Sequence, residues 1–394
     1  MAGATLLVPA LTGLPTSTTL LFSGIGTLLF LLLTRNRLPA YLGSSFAFVA
    51  PLQAANSAGL AAQLGGVLVA GMVLTAVGIA IKALGPRVVE LLMPPVVTGA
   101  VVMLLGLSLA RGAVEWIVAA PAVAALTVLV IIATAVLFGG GTVEQAGRLA
   151  ILIGLLAGWV AAALLGRLDP ARVDALAAAR WIGMPQLTRP QIAPAVALAV
   201  LPVVIALMAE SVGNLKAIGA VTDRPVDQLA GDTLVAVGLG TTLAGLGGGT
   251  GASIRPENVG VLAASRVYSS ATFLVAALAA IVLSASPKVT ALLMTVPLGV
   301  LGGAGIVLFA LIGVAGVKVW VDNHVELTDP LTLLLGAVTL VAGIGVLTIT
   351  AGGVRLGGFT WGSIAIVLIY LVSRAVRWVV AERGTAAARR AGPG

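Results

Sequence analysis

No cysteine occurs among the 394 residues, which removes disulfides, thiolate metal sites and cysteine nucleophiles. Histidine is almost as scarce: His324 stands alone, so no histidine-rich metal centre can form. Charged residues make up only 9% of the chain, where a soluble domain carries roughly 25%. Such a chain lacks the polar surface to dissolve as a globule. There is no tripeptide period, which excludes collagen, and the Leu, Val and Ala content excludes low-complexity disorder. No Gly-x-x-x-x-Gly-Lys-Ser/Thr run is present to cradle a phosphate. No basic stretch precedes the first apolar run, so a cleavable signal peptide is not expected.

What the chain does have is apolar length. Hydrophobic residues reach 59%, and the mean hydropathy is +1.14. The 50 Gly and 19 Pro lie mostly inside apolar segments, a pattern suited to close helix packing and broken helices in lipid. At roughly 25–30 residues per span and loop, the length predicts on the order of 13–15 crossings of one polytopic membrane protein. The formal charge of +8, from 22 Lys and Arg against 14 Asp and Glu, would suggest nucleic acid in a soluble protein. Here the cations stand singly between apolar runs. Topology explains them, and no nucleic-acid partner is expected.

Apolar runs place a short stub near 3–13, then spans near 16–34, 64–84, 91–110, 117–138 and 148–166. A long polar connection, Arg167 to Gln191, precedes spans near 193–213, 233–247, 270–286, 289–317, 331–350 and 358–380. The stub is too short for a core about 30 Å thick. The expectation is that the first span has lost its opening half or that the true start lies upstream of Met1. If all segments cross alternately from a cytoplasmic start, fourteen Lys and Arg fall inside, seven fall outside, and Arg255 sits within a segment. That excess predicts a cytoplasmic C-terminus.

Two segments, near 39–53 and 249–265, are too short for ordinary spanning helices and are rich in Gly, Ser and Pro. They occupy matching places in the two halves. Interrupted segments so placed point to an inverted-repeat transporter with its site at the midplane, the alternative being a pair of re-entrant or surface loops.

Most of the 14 acids fall in loops. Glu210, late in the run from Leu201, and Glu257, inside the second short segment, do not. Ionisable groups deep in apolar sequence are costly and usually functional. A carboxylate beside opened backbone can accept N–H bonds from a polar ligand or carry a proton. The competing readings are a helix-end acid for Glu210 and a charge pair with Arg255 for Glu257. The glycine run Gly245 to Gly251 predicts extended backbone rather than helix. In the first half, Pro39 breaks the chain, Gly43-Ser44-Ser45 supplies polar backbone, and Phe46 or Phe48 can stack on a planar ligand or simply pack.

Glu257-Asn258-Val259-Gly260-Val261-Leu262-Ala263-Ala264-Ser265-Arg266 resembles the signature of the nucleobase–ascorbate transporters, departing only at Ser265, where that signature has Thr. Gly43 to Phe48 is similar to that family's third segment. Met93 to Gly99, Ala209 to Asn214 and Val321 to His324 follow in the family's order. The resemblance spans nearly the whole chain and is nearest to bacterial uracil and uracil–xanthine permeases.

The resemblance implies an all-α polytopic membrane protein of fourteen segments in a 7+7 inverted repeat, with two discontinuous segments of short strand plus half-helix. A core domain would comprise 1–88 (segments 1–4, the first incomplete) and 193–287 (segments 8–11). A gate domain would comprise 89–168 and 288–381, with an extracytoplasmic loop at 169–192 and a cytoplasmic basic tail at 382–394. Carried over by position, Glu210 and Glu257 hydrogen-bond the nucleobase and couple protons. Phe46, Ser45, Ala47 and Pro256 line the site, supported by Asn214, Asn258, Gly260 and Arg255.

The chain departs from the family where the first segment lacks a Gln-His pair and where Asn214 stands for a common His. It departs again where Ser253-Ile254-Arg255 replaces a Thr-Thr-Tyr-like run. Arg255 is expected either to pair with Glu257 or to attract a more anionic substrate. The expected function is proton-coupled uptake of uracil or a related nucleobase across the cytoplasmic membrane by alternating access. The proton is the expected coupling ion, no cofactor is expected, and the resemblance allows a homodimer through the gate domain, which no surface pattern in the sequence demands. The alternatives are a purine or xanthine permease on the same fold and an anion transporter or channel of similar architecture. No nucleophile–base set supports an enzyme.

Overall fold

In lipid, every backbone N–H and C=O must find its partner within the protein, so long apolar runs become helices. The computed structural model describes residues 2–85, 88, 91, 93–138, 149–255, 258, 259, 262, 266–345, 349–351 and 354–390. The first half holds α1 (Ala2–Thr12), α2 (Thr16–Leu33), β1 (Leu42–Ser44), α3 (Val49–Ala54) and α4 (Leu60–Leu84). It continues with α5 (Pro95–Ala119), α6 (Pro121–Phe138) and α7 (Ala150–Leu164). A short helix, α8 (Pro170–Ala178), sits within the long polar connection.

The second half opens with α9 (Pro194–Val200) and α10 (Val203–Thr222), followed by α11 (Ala230–Gly247), β2 (Ala252–Ile254), α12 (Ser270–Ser284) and α13 (Pro287–Met294). It closes with α14 (Leu298–Asp322), α15 (Pro330–Ile344), a β3–β4 hairpin (Ile349–Ala351, Val354–Leu356) and α16 (Gly358–Arg390). Eight of the described helical spans are long and apolar enough to cross a bilayer, or nine if the α12–α13 pair, bent by 90°, is one span. With the shorter apolar helices α7 and α15, the two broken segments and α1, these make the fourteen expected segments.

Several boundaries differ from the hydropathy reading, each for a local reason. Pro297 opens α14 and cannot continue a helix from 289, so the expected span 289–317 divides into α13 and α14. Helices also outrun the apolar stretch. α5 reaches Ala119 and carries Arg111 in an ion pair with Glu115 one turn on, whereas the expected span stopped at 110. α10 extends to Thr222, which puts Glu210 in mid-helix rather than near a helix end. α15 stops at Ile344, short of the expected 350. The glycine run does not break at Gly245. α11 runs through Gly247 and ends on Gly248 in the left-handed region at φ 106°, whose N–H donates to the Ala244 carbonyl.

Packing shows the repeat directly. With the segments numbered one to fourteen, segment 2 (α2) packs on 11 (α12) as 4 (α4) packs on 9 (α11). Segment 5 (α5) packs on 13 (α15) as 12 (α14) packs on 6 (α6), and 6 packs on 7 as 13 packs on 14. Segments 3 and 10 meet as mates of each other through β1 and β2, and 5 meets 12 likewise. The helices approach closely at glycines. A Cβ on Gly238 of α11 would lie 2.5 Å from the Thr75 amide nitrogen of α4. Lys82 and Asp232 form an ion pair at the ends of these same two helices.

Candidate functional site

The two broken segments meet backbone to backbone. β1 and β2 pair antiparallel, with Leu42 opposite Ile254, Gly43 opposite Ser253 and Ser44 opposite Ala252. The Ser45 N–H continues the ladder to the Gly251 carbonyl at 2.9 Å. A two-stranded ribbon leaves outer edges unpaired, and in a membrane interior those edges need partners. Two threonines supply them. The Leu42 N–H donates to Thr27 Oγ1 of α2 at 2.9 Å, and the Ala252 N–H donates to Thr241 Oγ1 of α11 at 3.0 Å. Asn214 donates its amide to the Ile254 carbonyl at 2.7 Å, and Asn258 donates to the Tyr41 carbonyl at 2.8 Å. The strand ends are thereby held from both sides.

Against this frame, α10 presents Glu210. Ser45 Oγ accepts the Ala47 N–H at 3.2 Å, capping the turn Phe46–Phe48, and donates its own proton to Glu210 Oε2 at 2.9 Å. The other carboxylate oxygen, Oε1, accepts from Arg255 Nη1 at 3.3 Å. That nitrogen also donates to the Ser44 carbonyl at 3.1 Å. The Arg255 side chain is 1% exposed and that of Glu210 is 10% exposed, so the ion pair is buried. The guanidinium carbon lies 4.6 Å from the centroid of the Phe46 ring. Phe46 in turn meets Phe309 of α14 edge to face, with centroids 5.3 Å apart and planes at 85°. The cluster therefore lies where the broken segments face α10 and α14.

Of the residues singled out in the sequence, Glu210, Ser45, Phe46, Ala47 and Arg255 converge, while Asn214 and Asn258 hold the frame. Pro256, Glu257 and Gly260 lie outside the described residues, and the expected pairing of Arg255 with Glu257 lies there with them. Glu210 is a partner for Arg255 that the sequence reading did not foresee. Also unforeseen were Thr27, Thr241 and Phe309, together with Thr250, whose hydroxyl donates to Ser44 Oγ at 2.8 Å. Thr27 and Thr241 carry a common signal, a hydroxyl inside each apolar helix that precedes a broken segment. Ser211 and Ser253 keep buried hydroxyls without a hydrogen-bond partner among the described residues, which leaves polar capacity near the carboxylate and in β2. Among the described residues no cluster of three or more His, Asp or Glu is arranged for a metal.

The arrangement offers a flat aromatic face, a carboxylate acceptor, hydroxyl groups and strand-edge backbone, all withdrawn from water. Those are the partners a planar, neutral molecule with N–H and C=O edges requires. Residues 1–352 match the model of a family described as the Permease family. Over 391 residues the chain is 42% identical to the putative pyrimidine permease RutG of Escherichia coli, covering 95% of this chain and 87% of that protein. It is 37% identical over 364 residues to the uracil permease of Bacillus caldolyticus, covering 88% and 82%. Among solved structures it resembles the transmembrane domain of a cyanobacterium bicarbonate transporter, BicA. That match has a TM-score of 0.57 at 18% identity, over 87% of this chain and 93% of the other. The likeness extends to the inverted-repeat fold and bears out the architecture expected from the motifs.

Proposed function

The chain belongs to the Permease family, and from that premise we propose that it imports uracil or a closely related nucleobase across the cytoplasmic membrane, coupled to protons. The observation that carries this reading is Glu210. It is a carboxylate only 10% exposed in mid-helix, held by the Ser45 hydroxyl beside the paired broken segments and close to an aromatic ring. The names of two similar permeases, for pyrimidine and for uracil, support the substrate class. In this reading the carboxylates of Glu210 and Glu257 take the N–H groups of the base, Phe46 covers a face, and the backbone around Ser45, Ala47 and Pro256 meets its edges.

Charge bookkeeping supports one coupling proton. Arg255 compensates one of the two carboxylates, so one added proton brings Arg255, Glu210 and Glu257 together to zero. A neutral set crosses the low-dielectric region far more cheaply than a charged one. An inward proton across 100 mV is worth about 2.3 kcal/mol, roughly 50-fold in accumulation. The group built on α2, α4, α10, α11 and α12 acts as the core that moves. The group built on α5, α6, α7, α14, α15 and α16 acts as the gate, meets a second copy in a homodimer, and leaves the C-terminus in the cytoplasm.

Uptake of labelled uracil into proteoliposomes under an imposed inward-acid gradient tests the proposal. Folded protein that gives no uptake above empty vesicles would refute it. Competition by unlabelled xanthine and guanine separates a purine carrier from a pyrimidine one. The buried Arg255 favours an anion carrier, but its charge is already answered by Glu210. Chloride or bicarbonate flux independent of nucleobase would reverse that judgement.

A further inference from the structure

Arg255 makes, from within the protein, the set of contacts that the proposed function assigns to the base. Its guanidinium is flat and lies against the Phe46 ring at 4.6 Å. Its Nη1 gives one N–H to the Glu210 carboxylate and one to the main-chain carbonyl of Ser44. At 1% exposure it is as withdrawn from water as a bound ligand. A pyrimidine base asks for the same three things: a ring face, a carboxylate acceptor for its N–H, and a strand-edge backbone group. Two flat groups cannot fill one place on Phe46 and one oxygen of Glu210 together.

We propose that Arg255 is an intramolecular surrogate for the substrate, holding the nucleobase site until the base displaces its guanidinium. This inference rests on the nucleobase reading above and adds to it how the site is held without cargo. A clamp serving structure alone would need only the ion pair. The cation–π contact with the Phe46 ring and the hydrogen bond to the first broken segment go further, and they occupy the groups that would recognise a planar ligand. The ordinary arginine stem has several rotatable bonds, so the head can withdraw while the backbone frame stays fixed. Apparent affinity is then the intrinsic affinity reduced by the fraction of time the guanidinium is away.

The test is equilibrium binding of labelled uracil to the full chain in nanodiscs, comparing wild type with R255A and R255Q, each checked for monodisperse elution. Removing the surrogate is expected to tighten uracil binding by about tenfold, equivalent to about 1.4 kcal/mol. Methylguanidinium, at millimolar strength, is expected to compete with uracil on R255A and to have little effect on wild type. Binding that is unchanged or weaker in both folded variants would overturn the proposal, because Arg255 would then be a clamp or a direct partner of the base. If the neutral variants fail to fold, R255K decides. It keeps the charge without the planar fork, and it is expected to bind uracil more tightly than wild type; equal or weaker binding counts against the surrogate. If wild type and variants alike bind no nucleobase, the substrate reading fails, and the surrogate is judged by methylguanidinium alone. Saturable thermal stabilisation of R255A, absent in wild type, supports it, and no stabilisation of R255A refutes it.

Discussion

Replacing Glu210 by Gln removes one member of a buried ion pair while preserving shape. The charges are 3.3 Å apart, with the arginine side chain 1% exposed and the carboxylate 10%. At an effective dielectric constant of about 20, an attraction over that distance is worth about 5 kcal/mol. Mutational experience with buried pairs gives about 3–5 kcal/mol for losing one partner, because the other charge is left behind. The Ser45 hydroxyl also exchanges a charged acceptor for a neutral one, which costs about 1 kcal/mol more. E210Q is therefore expected to be among the most destabilising isosteric changes in the chain, and R255Q to be similarly costly. The double variant, with neither charge, is expected to recover most of the loss. The assay is thermal unfolding in detergent, followed by tryptophan fluorescence. The four proteins are ranked by melting temperature, because a polytopic protein does not reliably unfold in two states. If E210Q melts with wild type, or the double variant falls as far as the two single losses combined, the ion pair does not hold the site together as argued. E210Q is also expected to lose proton-driven uracil uptake.

Other elements of the fold give narrower expectations. In G238A the new methyl meets the Thr75 amide at 2.5 Å, so overpacking of about 1–3 kcal/mol should outweigh the gain in helix propensity and lower the melting temperature. T27V and T241V each strip the partner from a buried strand N–H, at a cost of about 1–3 kcal/mol. Matched losses of stability and uracil affinity in the two are expected, and a silent T241V would contradict the pseudo-symmetric role. Asp329 caps α15. The Arg377 guanidinium, bonded to it from α16, together with the Leu331 N–H, holds its carboxyl below the usual carboxylate range. A lowered native value means stability that is present above the ordinary pKa of about 3.9 and is lost as pH falls through the lower native value. The melting difference between wild type and D329N should therefore be constant near neutrality and shrink below about pH 4; parallel curves throughout would sink that assignment.

How much of this was legible beforehand depended on whether a signal was local. The broken segments announced themselves, since fifteen or so residues rich in Gly, Ser and Pro between two firm spans cannot cross as helix. Glu210 and Arg255 stood out because charge is rare in apolar runs. Their pairing did not, because the nearest acid in sequence to Arg255 is two residues away at Glu257, whereas Glu210 is 45 residues away on another helix. Phe309 sits in an apolar helix, where a ring reads as packing until the chain folds it onto Phe46. Thr27 also bonds the Ser23 carbonyl one turn back, as threonines in membrane helices commonly do. Its second role at Leu42 has no trace in spacing. Helix ends depart from the hydropathy pattern for a different reason. Hydropathy reports where lipid stops, and helices such as α5 and α14 continue past that level.

The site joins a fixed frame to one long, movable side chain. Each strand is held by its partner strand, by a threonine hydroxyl at Leu42 or Ala252, and by an asparagine amide at Tyr41 or Ile254. Such redundancy follows from the medium, since an unsatisfied backbone group in a membrane interior costs several kcal/mol. Ser45 is fixed by its cap and its bond to Glu210, and Phe46 by Phe309. Arg255 is different. Among the described residues its head-group contacts cross from the second broken segment to the first and to α10. One side chain thus couples three elements. A planar molecule that takes Phe46 and Glu210 from it changes which elements are linked while the backbone frame stays in place. Recognition of cargo and release of an internal tie then become the same event.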